Sequence, residues 1–286
     1  MNTHSGDQDH SSNAARKQWD GVAAGWARWW RTIERGAEPI SRRMLDLAEV
    51  APGQRILDIA TGIGEPALSA AKRAGPSGQV VGTDLSPEML ALAQQRAVRE
   101  GCSNVEFMAV DASQLPFSPG SFDTILCRWG ITALPGYADI LKVLHRLLRP
   151  GGAFVSAVWS DSPRSRPLAT LAAAVMQELL DGPPAPAIAS SAQDSVGTAL
   201  RQDLLHAGFS RIHMEDQTLM LTFASPDECA EYLWDVSPEL ARLLSRLSSA
   251  QQATFGRRLA QRLEPFQAPN GQVVITNVTL CAAGRA

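Results

Sequence analysis

Residues 57–66 read LDIATGIGEP: a short apolar run, an aspartate, a turn carrying two glycines, then a glutamate and a proline. Glycines at such spacing let backbone pass very close to a ligand. Gly62, Gly64 and Ala67 fit the G-x-G-x-x-A spacing of a dinucleotide site, yet Asp58 and Glu65 put carboxylates where a pyrophosphate would have to lie. The turn therefore fixes a strand-to-helix junction while leaving its ligand open.

Outward from this turn, strands and helices alternate. The runs RILDIA, QVVGTD, VEFMAVD, FDTILCRW and AFVSAVWS are short and rich in Val, Ile and Leu, and helical patterns such as PEMLALAQQRAVREG and YADILKVLHRLL separate most of them. That alternation predicts right-handed parallel βαβ units. Two late runs, SRIHMEDQTLMLTF and GQVVITNVTLCAA, read as an antiparallel pair, with helices between them starting at the Ser-Pro pairs of SPDE and SPEL. The expected fold is α/β: a doubly wound, seven-stranded Rossmann-like sheet of five parallel strands plus the late antiparallel pair, with a helical cap. Along the chain this gives a disordered tail (1–13), N-terminal lid helices (14–50), a ligand-binding core (51–160), and cap helices with the last two strands (161–286). The Pro/Ala/Ser-rich stretch DGPPAPAIASSAQDS reads as a mobile loop helping to close the site.

In an open α/β sheet the ligand sits at the carboxyl ends of the strands. Asp58, Asp84, Asp111 and Arg128 come late in four of these strands, so they meet on one rim. A dinucleotide would explain Asp84, which would accept from ribose hydroxyls, but leaves Asp58 and Glu65 beside phosphate charges with no cation to offset them. Glu65 and Pro66 also spoil the helix start as a phosphate seat, one by its charge and the other by lacking an N–H. S-adenosylmethionine has no phosphate and carries an ammonium and a sulfonium cation, which suits an acidic rim.

The segments LDIATGIG, VVGTDLSPEML, VDASQLPF, FDTILCRWG and LLRPGGAFV, in this order, resemble the class I S-adenosylmethionine-dependent methyltransferases, closest to the ubiquinone/menaquinone-biosynthesis C-methyltransferase type. The resemblance implies that Asp58 and the backbone of Ala60, Thr61, Gly62 and Gly64 hold the methionine portion and that Asp84 takes the ribose. It places Leu85 and Met89 about the adenine, with Asp111 accepting from its amino group and Ala112 supplying backbone. Cys127 and Arg128 would line the sulfur end, and Trp26 would fold over the cofactor. Ala60 departs from the family, which usually has glycine there. Trp19, Trp30, Trp129 and His213 are expected at the acceptor pocket, although His213 reads first as structural. No side chain stands out as a catalytic base.

The resemblance implies methyl transfer by in-line displacement to carbon or oxygen of a small, quinone-like or natural-product acceptor. A non-methylating enzyme on the same cofactor is the alternative, and a nicotinamide oxidoreductase a weaker one. The chain has 286 residues, 45% hydrophobic, with 26 Lys and Arg against 29 Asp and Glu for a net charge of −3. It shows no basic block for nucleic acid. Cys102, Cys127, Cys229 and Cys281 form no C-x-x-C pair and no zinc-ligand spacing, so no metal is expected. The polar start and the lack of a long apolar stretch predict a cytoplasmic protein without membrane insertion. The oligomeric state is not encoded in any pattern we recognise.

Overall fold

A computed structural model describes residues 4–160, 165–180 and 195–286, with side chains from residue 12 onward. The parallel strands are β1 (Arg55–Ile59), β2 (Gln79–Asp84), β3 (Val105–Ala109), β4 (Phe122–Arg128) and β5 (Leu148–Trp159). The late strands are β6 (Ser210–Phe223) and β7 (Val273–Arg285). The sheet order is β3-β2-β1-β4-β5-β7-β6, parallel except that β7 runs antiparallel to both β5 and β6. This is the sheet the residue pattern predicts. The order reverses between β1 and β4, so a crevice opens above their carboxyl ends.

The helices are α1 (His4–Leu47), α2 (Ala67–Ala74), α3 (Pro87–Arg99), α4 (Tyr137–Leu147), α5 (Pro167–Leu180), α6 (Val196–His206), α7 (Pro226–Val236), α8 (Pro238–Leu244) and α9 (Ser249–Leu263). Ser86, Ser225 and Ser237 cap α3, α7 and α8, each accepting a backbone N–H, with proline opening each helix. Strand alternation sends successive side chains to opposite faces. Ile56, Leu126 and Val155 join the core under α1 and α5, while Leu57, Ile125 and Cys127 join a second core with α4 and α6.

The N-terminus departs from expectation. In place of a disordered tail and two helices, one 44-residue helix runs through Pro39; residues 1–3 of the expected tail lie outside the described residues. Proline inside a helix forfeits a hydrogen bond, but Ile33, Ala37, Ile40 and Met44 around it are fully buried, and packing of that face outweighs the local penalty. Two helical glycines allow the close approach: a Cβ on Gly25 would sit 2.0 Å from the Asp235 carbonyl oxygen, and one on Gly36 2.3 Å from that of Met220. The mobile loop read from DGPPAPAIASSAQDS lies, up to residue 194, outside the described residues.

Candidate active site

The turn after β1 is held from below. Asp58 is completely buried, and its Oδ2 accepts from Thr61 Oγ1 at 2.6 Å and from the Ala67 N–H at 3.0 Å, while Oδ1 has no partner. Burial pushes its carboxyl up to about 7, against the lowering pull of Thr61 and Arg128. Ala60 and Gly62 take left-handed backbone, at φ 53° and 54°. A Cβ on Gly62 would meet nothing within 4 Å. The turn thus faces open space.

Asp84 closes the next strand. Its Oδ2 accepts the Gly62 N–H at 2.8 Å and its Oδ1 that of Ser86 at 2.9 Å, so the carboxylate ties the glycine turn to the start of α3. Burial raises its pKa against these hydrogen bonds. Asp111 accepts from Ser12 of α1 at 2.6 Å and from Ser113, and these bonds hold its carboxyl below the ordinary value despite desolvation.

Above these groups lies a cavity of about 440 Å³. At one end it is lined by Ala60, Thr61, Gly62, Asp84, Leu85, Met89, Asp111 and Ala112, as the resemblance implies, with Trp19 and Trp26 of α1 overhead. Trp26 is fixed there by its Nε1, which donates to the Val236 carbonyl at 3.1 Å. Arg128 and Trp129 lie on its wall. Arg128 is nevertheless committed elsewhere: its guanidinium donates to both Glu34 oxygens, at 2.8 and 2.5 Å, and to Ser41 Oγ at 2.8 Å.

Five expected residues do not line the cavity. Asp58 lies beneath the turn and shapes it. Gly64 faces Leu68 and Ala93, where an added Cβ would come within 3.2 Å. Cys127 is fully buried on the opposite face of the sheet from Arg128, by strand alternation, and burial with Asp58 nearby pushes its thiol far up. Trp30 packs on Ile63 and Met89 with Arg96 over its ring at 4.7 Å. His213 is exposed on β6 and pairs with Glu215 at 2.8 Å. Another expectation also changes: Glu65 is not an uncompensated charge, because buried Arg96 lies 3.3 Å away and Ser69 Oγ donates to it at 2.7 Å.

Apart from Trp129, sequence reasoning missed the far end of the cavity. Trp159, Arg166, Leu168, Leu219, Tyr232 and Asn277 line it. They come from β5, the start of α5, β6, α7 and β7, and no local motif joins them.

The residues at the turn fit S-adenosylmethionine. Open space over Gly62 and carboxylates at the ends of β2 and β3 suit a cationic, hydroxyl-bearing ligand. The cations nearest the turn, Arg96 and Arg128, are already paired with glutamates, leaving none for a pyrophosphate.

The model of the ubiE/COQ5 methyltransferase family matches residues 39–170. The demethylmenaquinone methyltransferase of Thermus thermophilus is 33% identical over 196 residues, covering 62% of this chain and 88% of that relative. This chain belongs to the ubiE/COQ5 methyltransferase family. It is an S-adenosylmethionine-dependent methyltransferase. The ubiquinone/menaquinone biosynthesis C-methyltransferase UbiE of Pseudomonas fluorescens is 34% identical over 134 residues, 46% of this chain and 48% of its own length. With such members of the ubiE/COQ5 family the match spans about half the relative's length. Solved structures share the fold at low identity. The [4+2]-cyclase SpnF has TM-score 0.53 and 19% identity, covering 87% of this chain and 81% of its own. YcgJ of Bacillus subtilis has TM-score 0.51 and 19% identity, covering 85% and 97%.

Proposed function

We propose that the chain methylates a carbon of a small, aromatic acceptor of quinone-like type. The supporting observation is the far end of the cavity, where Trp129, Trp159, Leu168, Leu219 and Tyr232 enclose space beside the cofactor turn. The names of the relatives, demethylmenaquinone methyltransferase and C-methyltransferase, point the same way.

Bound S-adenosylmethionine supplies an electrophilic methyl group on a cationic sulfur. This chain's part is placement and dryness. Asp84 and Asp111 are set to accept from the ribose and adenine, and the Ala60 to Gly62 backbone to carry the methionine end. Trp19 and Trp26 cover the site and exclude water. In-line attack needs the acceptor carbon near the methyl with little freedom to turn, and a flat aromatic slot restricts that freedom. With an acceptor that enters as its phenolate or enolate, the ring carbon would form its bond to the methyl as the carbon–sulfur bond breaks, and that carbon would then lose its proton. The opposite charges of sulfonium and acceptor oxygen would cancel along this path, so an apolar enclosure favours it over the separated ions.

The test combines turnover with binding. Purified protein, S-adenosylmethionine and a chemically reduced demethylated naphthoquinone should release S-adenosylhomocysteine and a product heavier by one methylene on its ring carbon, read by mass spectrometry. Calorimetry should show Asp84→Ala binding S-adenosylhomocysteine at least tenfold more weakly than wild type, as loss of hydrogen bonds to a charged group predicts. Oxygen-linked product would refute carbon as the target, and equal affinities would refute the site.

A further inference from the structure

We propose that Arg166, with the Tyr232 hydroxyl beside it, forms a subsite for an acidic oxygen, a phenolate or enolate, on the flat aromatic acceptor. This rests on the methyltransferase reading above and narrows its substrate class to anionic aromatics.

Among the described residues two cations, Arg128 and Arg166, reach the cavity wall, and they differ in one respect. Arg128 has its charge matched by Glu34 in a two-pronged pair. Arg166 has no hydrogen bond or ion pair to its guanidinium among the described residues. It lies over the Trp159 ring at 5.6 Å, Trp159 stacks on Trp129 with centroids 4.8 Å apart and planes 10° from parallel, and Arg128 lies over Trp129 at 4.8 Å. The wall is thus a run of cation, ring, ring, cation, in which Arg128 is neutralised by Glu34 and Arg166 is not.

The position of Arg166 is fixed by its surroundings. The hydroxyl of Ser165 is buried and donates to the Val278 carbonyl of β7 at 2.9 Å, and Pro167 opens α5 immediately after. The Trp129 indole N–H donates to Thr279 Oγ1 at 3.1 Å, and that hydroxyl donates to the Val158 carbonyl at 2.6 Å, so the ring pair is pinned to the sheet. Arg166 itself has left-handed backbone at φ 54°, a conformation that residues with a Cβ rarely adopt.

The electrostatics favour an anion. Desolvation holds the Arg166 guanidinium below its ordinary pKa, with Glu239 and Tyr232 pulling weakly the other way. The Tyr232 phenol, pushed far up by burial, is kept neutral and so remains a donor, and it lies close enough to feel Arg166. Its hydroxyl has no hydrogen-bond partner among the described residues. A partly buried cation and an unused phenolic donor in one apolar pocket are costly unless something accepts from both. An acceptor carrying its negative charge on an oxygen does so, and that same charge makes its ring carbon nucleophilic.

The experiment uses calorimetry at neutral pH with saturating S-adenosylhomocysteine. The probes are lawsone, a hydroxynaphthoquinone that is anionic there, and its neutral methyl ether. Wild type should bind lawsone at least tenfold more tightly than the ether. Arg166→Gln should bring the two within about twofold by weakening lawsone alone, and Arg166→Lys should keep part of the preference. No preference in wild type, an equal loss of both probes in Arg166→Gln, or no binding of either probe would overturn the proposal. Titration with S-adenosylhomocysteine separates the two readings: if it binds normally while the preference is missing, the subsite alone fails. If it does not bind wild type, the cofactor site fails, and the same titrations without it still decide the anion preference.

Discussion

Removing the negative charge of Glu34 should loosen the attachment of the long N-terminal helix to the rim of the sheet. Arg128 is 5% exposed and Glu34 13%, and their paired hydrogen bonds join α1 to the end of β4. In Glu34→Gln the amide retains one acceptor for the guanidinium but turns a donor toward its other N–H. Breaking a buried ion pair from one side costs about 3–5 kcal/mol. Here Ser41 stays bonded to Arg128, and Asp58 and Glu65 still stabilise its charge, so the low end, about 3 kcal/mol, is expected. That corresponds to a melting temperature roughly 5 °C lower for a chain of this size. Arg128→Met should also destabilise, by leaving Glu34 unpaired, but replacing both partners removes the stranded charge. Urea unfolding of the four proteins in the cycle should therefore give a coupling energy of about 2 kcal/mol, with the double variant more stable than the sum of the single losses. Single effects that add to within about 0.5 kcal/mol would refute the claim that this pair is a unit.

Ala60→Gly should stabilise the protein by about 0.5–1 kcal/mol, because relief of left-handed strain exceeds the added freedom of the unfolded chain; denaturant unfolding measures it, and a loss of stability would contradict the strained φ of 53°. Asp58 gives a pH signature. Its folded pKa, about 7, is raised above the unfolded value of 3.8, so its contribution is fully present below the unfolded pKa and is lost as pH rises through about 7. Asp58→Asn should accordingly gain stability relative to wild type between pH about 4 and 7, read from paired urea titrations, and a flat difference would contradict the burial argument.

The sheet was legible because its signals are local. Runs of Val, Ile and Leu ending in Asp58, Asp84 and Asp111 predict strands and their carboxyl rim together, and Ser-Pro pairs mark where α7 and α8 begin. Cys127 was misplaced although the same period of two would have turned it away from Arg128. Pro39 reads as a break, and only the burial of Ile33, Ile40 and Met44 explains why the helix continues. The acceptor end was invisible for a different reason. Arg166, Tyr232 and Asn277 meet only once β7 has inserted between β5 and β6, and Glu34 reaches Arg128 across 94 residues of sequence. No spacing rule connects such groups.

The length of α1 lets one helix cover the whole cavity with unequal hold. From Trp26 onward the helix is riveted: Trp26 bonds to Val236, Trp29 Nε1 to Asp235 Oδ2 at 2.7 Å, and Arg128 grips Glu34. Before Trp26 its polar ties are lighter, Asp20 accepting from Ser86 Oγ and Ser12 donating to Asp111, beside a small apolar patch of Val22 and Ala23. Local opening of α1 is therefore expected before Trp26, over the cofactor turn, while the helix after Trp26 stays fixed.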